Sequence, residues 1–381
     1  HNSATSDAIT MASDGTCTAK LTSVGGGQLS HRNIIINGGM SVSQRHGTSE
    51  TTPAHTEFGP DRMRFDLSQS SKFKVQQVTD APAGFSHSMK VTSLSAYSSG
   101  ANDYFLLQNM IEGTDSARLR WGTSDAQTVT LSFYVKSSLT GVHACGIRNN
   151  GYNRANTQTY TINNANTWER KTVTFTGDTS GSWNVDTNAG LKLNFDLGSG
   201  SSFQAASTGT WLATNDFITS NSVKVVGTNA ATWYITGIQL ELGNIETPFE
   251  HRSLQDEFHR CCRYYQKYGS SGQYNTFQDL RPIGHSGSIV EVMHDFRGIP
   301  MRTTPTVAFT SGSIYIRGCA SSYADNTVSL TGSNYALSSD GITHTGHFWV
   351  TATSGSPFVG CQGGRVTGAT NGAYIEFKAE L

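Results

Sequence analysis

Charge is scarce in this chain. Charged residues make up 14% of the 381 positions, well below the roughly 25% of an ordinary globular domain. The formal net charge is −1, which leaves no electrostatic footprint for nucleic acid. No apolar run approaches the ~20 residues of a membrane-spanning helix, so no membrane insertion is expected. The opening HNSATSDAIT lacks the basic end and apolar block of a secretory signal and has no initiator Met. The sequence is therefore expected to begin inside a longer product or after processing. The six cysteines, Cys17, Cys145, Cys261, Cys262, Cys319 and Cys361, contain no CxxC pair. Free, mostly buried thiols and intracellular assembly are expected from that spacing.

Catalytic motifs are missing as well. GHSGS at Gly284–Ser288 departs from GxSxG at its last position, and the Gly25–Gly27 run has no GK[ST] after it. His344 and His347 in HTGH would point to opposite faces of a strand. Only one His from each of three chains, meeting on an axis, could make a metal site there. Asp103, Glu112 and Asp115 are the carboxylates nearest to a glycosidase pair. They would need to lie roughly 5–10 Å apart.

Glycine, by contrast, is abundant, with 40 residues set singly between short apolar runs, a pattern of many turns joining short strands. Residues 1–32 are small and polar, and AITMASDGTCTAKL reads as a β-hairpin about Asp14-Gly15. Two short strands bury no core alone, so the segment is expected to dock or intertwine with copies of itself. Ser23–Ser30 reads as a flexible joint.

Residues 33–245 alternate with period two. Val129, Leu131, Phe133 and Val135 share one face, as do Leu191, Leu193, Phe195 and Leu197, and Val173 with Phe175. In TWYITGIQLEL the phase changes at Gly237, which predicts a bulge. About ten short strands with no helical period between them argue for an antiparallel sandwich. Trp168 and Trp233 are expected in its core. Tyr152, Trp183, Tyr323 and Tyr335 stand in polar, loop-like settings. They are the candidates for stacking on the apolar C–H faces of sugar rings.

Between Gly243 and Gly269 there is no glycine, and nine of the 27 residues from Glu241 to Lys267 are charged. Ser253 followed by Asp256 and Glu257 predicts a capped helix over 253–267. Leu254, Phe258, Cys261 and Tyr265 would form one apolar stripe, available to an oligomer or interdomain contact. Arg252, Asp256 and Arg260 would stack at i, i+4. Residues 246–268 read as linker and helix, and residues 269–381 as a C-terminal β-sandwich closed by AYIEFKAEL. The fold expected is mainly β: N-terminal hairpin, sandwich, short linking α-helix, second sandwich.

HRNIIINGGMSVSQRHG, GPDRMRFD, VTLSFYVKSS, GLKLNFDLGSGSSF and QLELGNIETPFEHRSLQDEFHRCCRYYQKY, with PMRTTPTV and FKAEL near the end, resemble a group of tail-fibre-like virion proteins of tailed bacteriophages, especially marine ones. The likeness runs in order from about Asp7 to Leu381. NIIINGGM and TWYITGIQLEL also resemble the first and last strands of jelly-roll carbohydrate-binding modules. The resemblance implies a jelly roll over 33–245 and a non-enzymatic virion protein, assembled in the host cytoplasm. It implies a homotrimer that docks on other virion proteins through residues 1–32. The trimer would meet a host-surface glycan or outer-membrane receptor. A head fibre, decoration or connector protein without a receptor role is the alternative, and a glycan-degrading enzyme is the third reading. Such modules often carry a structural calcium on acidic residues, but the matching positions here are Thr236 and Gly237, with Met40 at the opening end.

Overall fold

The computed structural model describes residues 31–269, 299–308 and 374–381 in full, together with the backbone of further strands on either side. The first of these are β1 (Ile9–Met11) and β2 (Cys17–Ala19), which pair antiparallel; the Asp14-Gly15 turn expected between them lies outside the described residues.

The chain divides into two compact units. One comprises His1–Met40, Thr51–Glu57 and Arg64–His251; the other comprises Ser41–Glu50, Phe58–Met63 and Arg252–Leu381.

The first unit holds β3 (Arg64–Leu67), β4 (Phe73–Val78), β5 (Ser88–Ser93), β6 (Phe105–Glu112), β7 (Val129–Ser137), β8 (Gly141–Asn149), β9 (Ala155–Ile162), β10 (Glu169–Phe175), β11 (Ala189–Asp196), β12 (Trp211–Leu212) and β13 (Thr232–Leu242). They form two antiparallel sheets, ordered β10-β7-β13-β5-β4 and β12-β9-β8-β11-β6-β3. This is a jelly-roll-type sandwich. Its core is where the period-two pattern places it. Val129, Leu131, Phe133 and Val135 of β7 are fully buried, and Leu191, Leu193 and Phe195 of β11 are at most 1% exposed. Rings from the two sheets meet edge to face: Phe133 on Phe195 at 5.0 Å and Phe73 on Phe105 at 5.9 Å.

Gly237 forms the expected bulge. The pairing of β13 with β7 shifts between Thr236 and Gln239, and Gly237 sits at φ 63. A Cβ there would meet Phe85 Cζ at 2.7 Å, so both conformation and space call for glycine. Trp233 is in the core, fully buried. Trp168 is not. It lies half-buried on the outer face of the five-stranded sheet, where Nε1 donates to Asp80 at 3.2 Å and Lys136 lies 5.2 Å over its ring. Its parity explains this: Val173 and Phe175 point inward, so an even-numbered position at the head of β10 points out.

In the second unit, α2 (Leu254–Cys262) is shorter than the 253–267 expected. Ser253 caps it by accepting from the Asp256 N–H at 3.1 Å. (The other α-helix, α1, is the single turn Gly113–Ser116 of the first unit.) The chain leaves the helical path because Tyr265–Gly269 is drawn into a strand, β14. That strand is one edge of a three-stranded sheet, β14-β23-β17, with β17 at Thr306–Phe309 and β23 at Tyr374–Lys378. Tyr265 is therefore a buried strand residue, Cys261 is buried on the helix, Phe258 is half-buried and Leu254 is 63% exposed. Asp256 pairs with Arg260 at 3.2 Å, as the spacing predicts, whereas Arg252 pairs with Glu257 at 2.8 Å instead. A larger antiparallel sheet follows: β15 (Leu280–Ser286), β16 (Ile289–Asp295), β18 (Ile314–Arg317), β19 (Asn326–Ser329), β20 (Tyr335–Leu337), β21 (Thr345–Ala352) and β22 (Arg365–Gly368), ordered β15-β16-β21-β19-β18-β22 with β20 beside β21.

The segments 41–50 and 58–63 are built into this unit by charge and aromatic stacking. Arg45 ion-pairs with Glu380 at 2.7 Å and lies 3.7 Å over Tyr265; Arg62 also ion-pairs with Glu380 and lies 3.5 Å over Tyr264. Gln44 donates to the Tyr265 carbonyl at 2.9 Å. Planar guanidinium groups suit both partners, the carboxylate and the ring.

Candidate functional site

Trp183 lies on the loop between β10 and β11, and the loop is fixed by polar contacts. Buried Asp178 receives the Arg154 guanidinium at two oxygens, 2.8 and 2.5 Å, and the Trp183 Nε1–H at 3.2 Å. A carboxylate bound by a two-pronged Arg is a firm anchor. It sets the indole beside two others that the sequence reading did not single out. Trp121 stands 4.8 Å from Trp183 and 5.1 Å from Trp211, and Trp183 stands 5.4 Å from Trp211, all edge to face. Each indole N–H is already used: Trp121 donates to the Gln127 carbonyl at 2.7 Å and Trp211 to the Thr176 carbonyl at 2.7 Å. What the triad offers outward is therefore aromatic carbon.

Beside it opens a cleft of about 380 Å³, walled by Trp121, Trp183, Leu119 and Val185, with Arg120, Asp125 and Asn184 supplying polar groups. Val185 is 67% exposed. Arg120 and Asp125 are 4.0 Å apart and both exposed. Gly122 at φ 85 brings the chain against this loop, where a Cβ would meet the Gly181 carbonyl at 2.8 Å. An apolar wall with a few exposed polar groups is suited to a small polar ring molecule with an apolar face.

Tyr152 lies on the neighbouring loop between β8 and β9, 39% exposed and held at φ 55. Asn149 ties the two loops together. Its Nδ2 donates to Asn153 at 2.7 Å and to the Ser182 carbonyl at 3.1 Å, one residue before Trp183. The structure thus brings Tyr152 and Trp183 onto linked loops at one end of the sandwich. Tyr335 begins β20, and its side chain, like the whole of Tyr323, lies outside the described residues, as do His344 and the side chain of His347.

Asp103 does not converge with Glu112. Asp103 stands two residues before β6 and Glu112 ends it, which sets them roughly 30 Å apart at ~3.3 Å per residue. A glycosidase pair needs about 5–10 Å. Partial burial pushes the Asp103 carboxyl up, but hydrogen bonds from Gly100 N–H, Tyr97 and Ser68 hold it below its ordinary value, so it stays ionised as a loop anchor. Thr236 donates its hydroxyl to the His87 carbonyl at 2.8 Å and Gly237 has no side chain, so these positions do not fit a calcium site. Among the described residues no cluster of three or more His, Cys, Asp or Glu is placed to hold a metal ion. Cys145, Cys261 and Cys262 are buried thiols outside any disulfide.

No protein-family model and no curated protein matches this chain. Among solved structures it is similar to the enzymatically active domain of tailspike protein 4 of bacteriophage CBA120, with 13% identity over 55% of this chain and 21% of that one, at a TM-score of 0.29. That match spans about a fifth of the tailspike chain. It is also similar to a family 4 carbohydrate-binding module (14% identity, 55% of this chain, 99% of that one, TM-score 0.27). A third is a family 11 module from Clostridium thermocellum bound to a mixed-linked tetrasaccharide (13% identity, 53% of this chain, 99% of that one, TM-score 0.28).

Proposed function

We propose that this protein binds glycan without cleaving it, and that it serves as a host-adsorption protein of a tailed phage, in a tail fibre or similar appendage. The observation that carries the binding reading is the tryptophan triad. Its indole N–H groups are spent on the protein, and Trp121 and Trp183 border an open cleft with exposed Arg120 and Asp125 and half-buried Asn184. The separation of Asp103 from Glu112 supports the non-enzymatic side. A single cleft of this size binds weakly, and a homotrimer would multiply it by avidity.

The test is adsorption of fluorescently labelled protein to susceptible cells, before and after enzymatic stripping of surface glycan. Binding is expected only to the untreated cells. Trp183→Ala should weaken adsorption at least tenfold, roughly 1.4 kcal/mol, and Trp183→Phe should retain most of it. Equal binding to stripped cells would overturn the glycan reading. Light scattering at micromolar concentration is expected to give a trimer, and Phe258→Glu on α2 to weaken it. A wild-type monomer would remove the avidity argument.

A further inference from the structure

The outward face of the six-stranded sheet carries three cations that form no ion pair with a carboxylate among the described residues. Lys192 of β11 stands directly opposite Arg148 of β8, and Arg64 of β3 stands opposite Gln108 of β6, whose neighbour across the sheet is Asn194. Arg148 is 2% exposed. Its guanidinium donates to Asn215 Oδ1 at 2.6 Å and Asn194 Oδ1 at 3.0 Å, and Arg64 reaches Gln108 Oε1 at 3.5 Å. The Lys192 ammonium lies 3.7 Å over the Tyr152 ring. Every one of these partners is neutral. The Nε atoms of Arg64 and Arg148 are buried with no hydrogen-bond partner. Asp66, a carboxylate on this face, lies 3.2 Å from His55 and acts on Arg148 and Lys192 through its charge without pairing with either. Burial first, then the Arg148 and Arg64 charges, lower the Lys192 pKa to about 8, a sign that the cations repel one another.

Buried cations without a directly paired carboxylate are costly, and so is a tyrosine at φ 55. Tyr152 covers the cations with one ring face, and its 39% exposure leaves ring surface open to solvent. We propose that this face binds an anionic saccharide: the sugar ring stacks on Tyr152, and its sulfate or carboxylate group reaches Lys192, Arg148 and Arg64. The site is distinct from the tryptophan cleft and does not depend on it.

The experiment is calorimetric titration of the full chain at low salt and pH 7 with four probes: a sulfated galactan tetrasaccharide, its desulfated counterpart, a tetragalacturonate and inorganic sulfate. One or both charged tetrasaccharides should bind at least about tenfold more tightly than the desulfated one, in line with a hydrogen-bonded charge pair. Whichever binds identifies the substituent as sulfate or carboxylate. Lys192→Met, and Lys192→Gln as a second variant in case the first folds poorly, should abolish most of that preference. Trp183→Ala should leave the preference intact, so loss of the cleft reading would not touch this one. Equal affinity for charged and desulfated sugars, or a preference unchanged in both Lys192 variants, would overturn the proposal. Inorganic sulfate binding as tightly as the sulfated sugar would overturn its saccharide part.

Discussion

Two buried groups in the sandwich should cancel one another's effect on acid stability, and removing either should expose the other. His143 of β8 is fully buried and stacked on Tyr160 at 5.5 Å. Neither ring nitrogen reaches hydrogen-bond geometry, and burial lowers its pKa from 6.5 to about 4 against a small upward pull from the Leu139 backbone. Between pH 4 and 6.5 the unfolded chain takes up the proton and the folded one does not, so stability rises with pH there. Asp196, 2% exposed at the end of β11, behaves oppositely. Burial raises its pKa from 3.8 to about 6, although the N–H groups of Ser199 and Gly198 donate to it at 2.9 and 3.0 Å. Here the folded state holds the extra proton, so stability falls as pH rises from 3.8 through 6. Each displacement corresponds to about 3 kcal/mol at most. That is roughly 6–12 °C in Tm for a domain of this size. Five of the six tryptophans belong to the first unit, so thermal unfolding followed by tryptophan fluorescence reads it selectively. The wild-type Tm contribution from this pair should be nearly flat between pH 4 and 6.5. Asp196→Asn should make Tm climb with pH, and His143→Phe, which keeps a ring against Tyr160, should make it descend relative to wild type. Parallel profiles for all three proteins, within about 2 °C, would refute the assignment of opposing buried groups.

Gly237→Ala places a methyl 2.7 Å from Phe85 Cζ at φ 63; it should cost roughly 1–3 kcal/mol in the urea unfolding of the first unit. Glu380→Gln leaves Arg45 and Arg62, whose side chains are 10% and 3% exposed, without their shared carboxylate. It should destabilise the second unit by about 3 kcal/mol, seen as earlier cleavage by trypsin within residues 252–381.

Much of the sandwich could be read from the chain, because a half-buried strand writes its orientation into alternate positions. Leu191, Leu193 and Phe195 announced one face of β11. The polar residues that alternate with them, Lys192, Asn194 and Asp196, are buried as well, which the pattern does not signal. Alternation tells the two faces of a strand apart but not what a distant segment lays over either. Trp121 and Trp211 were overlooked although RWGTSD and TGTWLAT are as polar around them as TSGSWNVD is around Trp183; the same signal, applied evenly, would have found all three. Tyr265 fits a helical stripe at i+11 but forms a strand, since pairing with Tyr374–Lys378 outweighs a local periodicity.

The chain passes from one unit to the other five times, after Met40, Glu50, Glu57, Met63 and His251. The units are therefore interleaved along the sequence. A protein begun at Arg252 would present Glu380, Tyr264 and Tyr265 with neither Arg45 nor Arg62 to meet them. During synthesis those two arginines leave the ribosome about 190 residues before Arg252 begins the main body of their unit, and all the strands of the first sandwich, Arg64 to Leu242, are made in between. The second unit then assembles around a piece of chain that has been waiting for it. Exchanging the C-terminal part of this chain for another would require exchanging 41–50 and 58–63 along with it.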